Sequence, residues 1–376
     1  MSRNTASSGA TSPPTADVLR FLCAARAAFG VSLRKLTLHA QLHHFPALLT
    51  TVDFENLEEL ELYLDHDHGV DTDIATDVLR QCIAPFVNHF RRSLASLLIS
   101  SASNADMSPL LDALHDFPRL RKLVGRFVFD SAHLSDPRGL VKLLQTHSDA
   151  FTRVELRSSF AATASSEEEE QRPISTWGVF SAAVVTDPRN FANLTSLKLP
   201  GLTTFDGTLQ CLRRSADTLT SLHLTDHFLG TQELADLIRV FAHRPFDAGL
   251  QTLHVGLSIF TVEMLDLLAN QMSGLQSLNL VLTSRTVNEV SHHAWLGPRT
   301  TLFSRSLADR SYPDWKLSNL GIWDRRFLEN TAYSTPEEVM LMQHISRCIP
   351  GLQTFKGEPK NEGETCRWCF PDSYPP

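Results

Sequence analysis

The chain has 376 residues, 42% of them apolar and 20% charged, and a formal net charge of -8. That balance belongs to a folded water-soluble chain, and the acidic total disfavours any general attraction to nucleic acid or anionic membranes. Its six cysteines (Cys23, Cys82, Cys211, Cys348, Cys366 and Cys369) are too few and too scattered for a disulfide framework, and no unbroken apolar run approaches the ~18 residues of a membrane helix.

Residues 1–15 are rich in Ser, Thr and Pro without an apolar segment, which predicts a disordered tail rather than a signal sequence. Ala16 to Gly30 then carries Val18, Leu19, Phe21, Leu22, Ala25 and Phe29 at helical spacing, the pattern of a helix that closes one end of a stacked structure. From Leu33 onward one spelling returns, with an apolar residue at the first, fourth and sixth places. It starts at Leu33, Leu57, Leu94, Leu120, Phe151, Leu194, Leu219, Leu250, Leu275, Leu317 and Leu352, and only Gly125 and Gly357 break it. Read as L-x-x-L-x-L, it is the strand of a leucine-rich repeat, a unit that buries its apolar face only against copies of itself.

Between these strands the apolar spacing becomes helical, as in Leu110, Leu111 and Leu114, in Leu234, Leu237, Ile238 and Phe241, and in Met264, Leu265, Leu267 and Leu268. Strand then helix, repeated, predicts an α/β solenoid over 16–357, a horseshoe of about eleven irregular repeats with a parallel sheet on its concave face and helices outside. Ala161 to Arg172 is acidic and of low complexity, a flexible insertion. The stretch 283–316 holds Trp295, Phe303, Leu307, Tyr312 and Trp315, which predicts an ordered excursion on one rim. Thr335-Pro336-Glu337-Glu338 opens a last helix that Pro350 and Gly351 stop after Cys348, and 358–376 is a loose tail.

Motifs of catalysis are missing: there is no G-x-S-x-G, H-E-x-x-H, P-loop or G-x-G-x-x-G. Asp65 to Asp73 is rich in oxygen ligands but fails as a calcium loop, with Val70 at the turn-glycine place and Thr76 at the bidentate-glutamate place. Cys366-Arg367-Trp368-Cys369 is half of a zinc motif without a second half. Ser165 and Ser166 stand before four glutamates, a context for an acid-directed kinase or simply a solvated loop. No enzyme activity, cofactor or metal is expected.

Strand geometry is more informative. Side chains alternate, so the letters between the apolar places should point out from the sheet, with equivalent places on neighbouring strands about 4.8 Å apart. Lys122, Arg126, Arg153 and Arg157 then form a basic spot around Glu155, suited to an acidic or phosphorylated peptide, and His223 and His254 stand side by side. With Lys198, Asn279 and Trp323 these are the candidate partner-binding residues.

The repeats Leu219 to Leu224 (LTSLHL), Leu250 to Val255 (LQTLHV) and Leu275 to Leu280 (LQSLNL), with their irregular spacers, resemble the leucine-rich region of fungal F-box proteins over about 33–357. In that family an F-box binds the Skp adaptor of a cullin ubiquitin ligase while the repeats hold the protein to be ubiquitinated. The 32 residues before Leu33 lack the Leu-Pro opening of such a box, and the asparagine expected three places after each strand is absent. The expectation is therefore a monomeric, non-enzymatic, cytoplasmic or nuclear module that binds a partner protein. The alternatives are a ligase receptor whose F-box is missing or degenerate and, from another class, an enzyme with a dispersed site.

Overall fold

A computed structural model describes residues 16–50, 54, 56–65, 72–103, 105–158, 176–189, 191–200, 204–244, 249–282, 305–324, 343–355 and 358–359. Residues 1–15 and 360–376, the acidic insertion Ala161 to Arg172, the interior of the Asp65 to Asp73 loop, Trp295, Phe303, the helix opening at Thr335 to Glu338, Ser165, Ser166, Cys366 and Cys369 lie outside the described residues. The chain divides into two compact units, one of Met1–Phe151 with Ser158–Ala183 and one of Thr152–Arg157 with Val184–Pro376.

Every one of the eleven spellings forms a strand, and every strand begins at the third letter of its motif. They are β1 (Lys35–Gln41), β2 (Glu59–Asp65), β3 (Ser96–Ser101), β4 (Lys122–Phe127), β5 (Arg153–Ser158), β6 (Ser196–Pro200), β7 (Ser221–Leu229), β8 (Thr252–Leu257), β9 (Ser277–Leu282), β10 (Asn319–Asp324) and β11 (Thr354–Phe355). The apolar fourth and sixth letters alternate inward, so Leu60, Leu62, Leu222, Leu253 and Leu280 are completely buried. A slip of one residue would turn this whole set to solvent, which is why the motif fixes the register.

In the first unit β1 to β4 pair in parallel, Lys35 opposite Glu59, Glu59 opposite Ser96 and Ser96 opposite Lys122. Its helices are α1 (Ala16–Phe29), α2 (Phe45–Leu49), α3 (Thr72–Asp77), α4 (Ala84–His89), α5 (Ser108–Ala113), α6 (Arg138–Thr146) and α7 (Thr176–Thr186), of which residues up to Ala183 belong here. A π turn over Val78–Ile83 joins α3 to α4. Pro85 explains its place, since it has no N–H to give to the carbonyl four residues back. The helix expected from the spacing of Ala16 to Gly30 forms as α1, with Phe21 and Phe29 71% and 59% exposed.

In the second unit β5 to β11 pair in parallel and a short β12 (Glu358–Pro359) runs antiparallel to β11. Helices α8 (Phe205–Ser215), α9 (Thr231–Phe241) and α10 (Val262–Gln271) cover one sheet face with the predicted apolar residues, Leu234, Leu237, Ile238, Met264, Leu265 and Leu268 among them. Thr204 and Thr261 accept the N–H groups of Gly207 and Met264 to start α8 and α10, and Glu233 accepts from Gly230 N–H at the start of α9. Of the rim stretch, Leu307, Tyr312 and Trp315 are buried; Tyr312 OH donates to Asp266 (2.7 Å) and the Trp315 indole to the Met272 carbonyl (3.1 Å). Residues 343–348 are helical and the helix ends before Pro350, as the sequence predicts.

The missing asparagine ladder has a partial substitute at the other end of the strands. The second motif letter is a hydroxyl in four repeats of the second unit (Thr152, Thr195, Thr220 and Ser318), and Thr195, Thr220 and Ser318 donate to the carbonyls of Thr152, Thr195 and Gln276 (3.0, 3.0 and 3.1 Å). Each such bond satisfies a carbonyl that also accepts backbone N–H groups from the next strand.

Candidate functional site

The open sheet face of the first unit is occupied with itself. Lys35 Nζ meets Glu61 at 2.6 Å and Glu59 at 3.7 Å, Thr37 donates to Glu61, and His39 meets Asp65 at 2.7 Å. The Lys35 ammonium holds the Glu61 carboxyl below the ordinary carboxylate range. On β3 and β4 the expected exposure fails, because Ser96, Leu98 and Val124, read as outward letters, are buried. Lys122 and Arg126 are half-buried on β4 in this unit, whereas Arg153 and Arg157 lie on β5 in the second.

The second unit carries the other candidates. Parallel pairing puts Glu155 opposite Lys198, Lys198 opposite His223, His223 opposite His254, His254 opposite Asn279 and Asn279 opposite Gly321. Lys198, His223, His254, Asn279 and, two places on from Gly321, Trp323 are all half-buried, accessible at one side and packed at the other. One row of polar side chains therefore crosses β5 to β10.

At its β5 end, Glu155 is only 3% exposed, against the expectation of an outward letter. Arg153 Nη2 lies 3.2 Å from one carboxylate oxygen and Arg157 Nε 2.5 Å from the other, so two guanidinium groups roof the carboxylate and exclude water from it. The sequence shows one acid among cations; it does not show that the cations close over it.

At the centre, the His223 and His254 rings stack with centroids 3.5 Å apart and 18° between planes. Burial pushes both imidazoles down. His223 falls to about 2, with His254, Lys198 and Arg157 adding to the effect, and His254 falls to about 4, with Lys198 and Arg157 adding. Both rings are therefore neutral at physiological pH, each with one N–H donor and one nitrogen acceptor. Among the described residues no group of three or more His, Cys, Asp or Glu side chains is placed to hold a metal ion.

At the β10 end, a Cβ on Gly321 would collide with the Asn279 amide oxygen and the Trp323 indole nitrogen. The bare Cα lets both side chains lie over it, so Gly321 shapes the surface without touching anything that lands there. A second glycine does similar work: β7 carries extra residues between His223 and Phe228, and a Cβ on Gly256 would meet the His227 carbonyl and the Phe228 ring. An L-x-x-L-x-L pattern cannot reveal either close approach. Of the cysteines described, Cys211 and Cys348 are buried free thiols, burial pushing Cys211 up to about 11. Among the described residues no helix is long and apolar enough to cross a membrane. No protein-family model matches this sequence, and no curated protein matches it.

Proposed function

We propose that the chain is a leucine-rich-repeat horseshoe and a non-enzymatic interaction module, acting as a monomer in the cytoplasm or nucleus, that holds a partner protein on the open face of its second-unit sheet. The observation that carries this reading is the polar row Lys198, His223, His254 and Asn279, half-buried side chains that parallel pairing lines up across consecutive strands, with half-buried Trp323 two places beyond the row's end on β10. Aromatic and polar groups fixed by a sheet lose little freedom on binding, which favours recognition. The face of the first unit offers less, since its charges are paired across β1 and β2 and its centre is buried.

A photo-reactive side chain placed on that row, at position 279, tests the reading: it should cross-link to the partner, whereas the same group on the exposed helix position 232 should not.

A further inference from the structure

We propose that the stacked His223–His254 pair is a carboxylate-binding subsite, shaped to take an aspartate or glutamate side chain from an extended acidic segment of a partner protein. The proposal rests on the reading of this face as a partner-binding surface and adds the chemical class of what it takes.

Geometry supplies the first argument. The rings lie nearly parallel on adjacent strands, 3.5 Å apart, and neither makes a hydrogen bond to another described residue. Two half-buried imidazoles thus keep their N–H donors for a ligand. A carboxylate has two oxygens and accepts from both.

Charge supplies the second. Among the described side chains, the ionisable groups beside the pair are Arg153, Glu155 and Arg157 on β5 and Lys198 on β6, with neutral Asn279 beyond His254 on β9. Lys198 and Arg157 both act on the two rings with positive charge, although the whole chain is acidic. An anion is the ligand that such a surface selects. An extended segment offers alternate side chains about 6.8 Å apart, so one acid on the imidazole pair leaves the next within reach of Lys198 or the arginines.

Proton linkage supplies the third and gives the test its signature. A carboxylate beside the rings offsets the repulsion from Lys198 and Arg157 and raises the imidazole pKa, His254 first because its free value, about 4, is the higher. The complex then binds a proton that the free chain does not, so affinity falls as pH rises from that value to the raised one. Within the window the fall is about tenfold per pH unit for one proton taken up.

The experiment uses the full chain, an acetylated hexaglutamate peptide and inorganic phosphate, followed by fluorescence anisotropy of labelled peptide and by NMR of the histidine rings. Hexaglutamate should shift the His223 and His254 ring resonances, bind at least tenfold more tightly at pH 5 than at pH 7, and lose at least tenfold in affinity with Lys198→Glu. His254→Gln should flatten the pH dependence of binding, because an amide takes up no proton in this range. Unmoved ring resonances, binding indifferent to Lys198→Glu, or a response to phosphate without one to hexaglutamate would each overturn the subsite. If the residue-279 probe captures a partner while hexaglutamate leaves the rings unmoved, only the subsite fails. If both are silent, the functional reading falls with it.

Discussion

The His223 ring stacks on the His254 ring at 3.5 Å, a contact imposed by parallel pairing of the same motif place in two neighbouring repeats. Burial first, and then the neighbouring Lys198 and Arg157, keep both imidazoles uncharged at physiological pH. The stack is therefore uncharged and dry on one side, at the centre of a row that is polar throughout.

This contact makes stability depend on acid. In the unfolded chain both histidines titrate near 6.5, whereas the fold holds His254 down at about 4 and His223 at about 2. The unfolded state thus binds more protons below pH 6.5, and stability falls as pH drops from 6.5 towards 4, before most carboxylates titrate. Thermal unfolding should show a melting temperature that declines across this window, and His223→Gln with His254→Gln should flatten the decline. A double variant with the same slope as the parent would remove the histidines from the account.

Glu155 makes a second prediction. Replaced by Gln, it would leave Arg153 and Arg157 without their shared counter-charge while keeping the shape of the side chain. Both guanidinium groups are 50% and 41% exposed, so water compensates them in part, and the cost should be about 1 to 2 kcal/mol rather than that of a fully buried pair. Denaturant unfolding measures it. The freed cations should also tighten hexaglutamate binding, the opposite sign from the stability effect.

Gly139 makes a third, in the first unit. A Cβ there would lie 2.5 Å from the Asp112 backbone nitrogen and 2.7 Å from the Leu111 carbonyl carbon, so α6 and α5 pack backbone to backbone. No rotamer change relieves such a clash. Gly139→Ala should cost about 2 to 4 kcal/mol in urea unfolding, although alanine is the better helix former.

These residues show how far the sequence could be read. The eleven strands and their register were legible, because the L-x-x-L-x-L spelling carries an inward set that is buried from Leu36 to Phe355. The neighbours Lys198, His223, His254 and Asn279 follow from the same rule. What alternation cannot supply is how side chains close over one another. It read Glu155, Leu98 and Val124 as outward letters, and all three are buried, Glu155 under its two arginines. Gly321 and Gly256 gave no signal, because their role is the space they leave for Asn279, Trp323 and the β7 bulge.

The most direct measurement is photo-cross-linking in cells, with benzoylphenylalanine in place of Asn279 on the open sheet face or of Gln232 on the exposed side of α9, followed by mass spectrometry of the adducts. The account predicts a defined protein adduct at position 279 that disappears when Lys198→Glu is added, and none at position 232. An adduct at 232 with none at 279 would place the partner on the helices and contradict it.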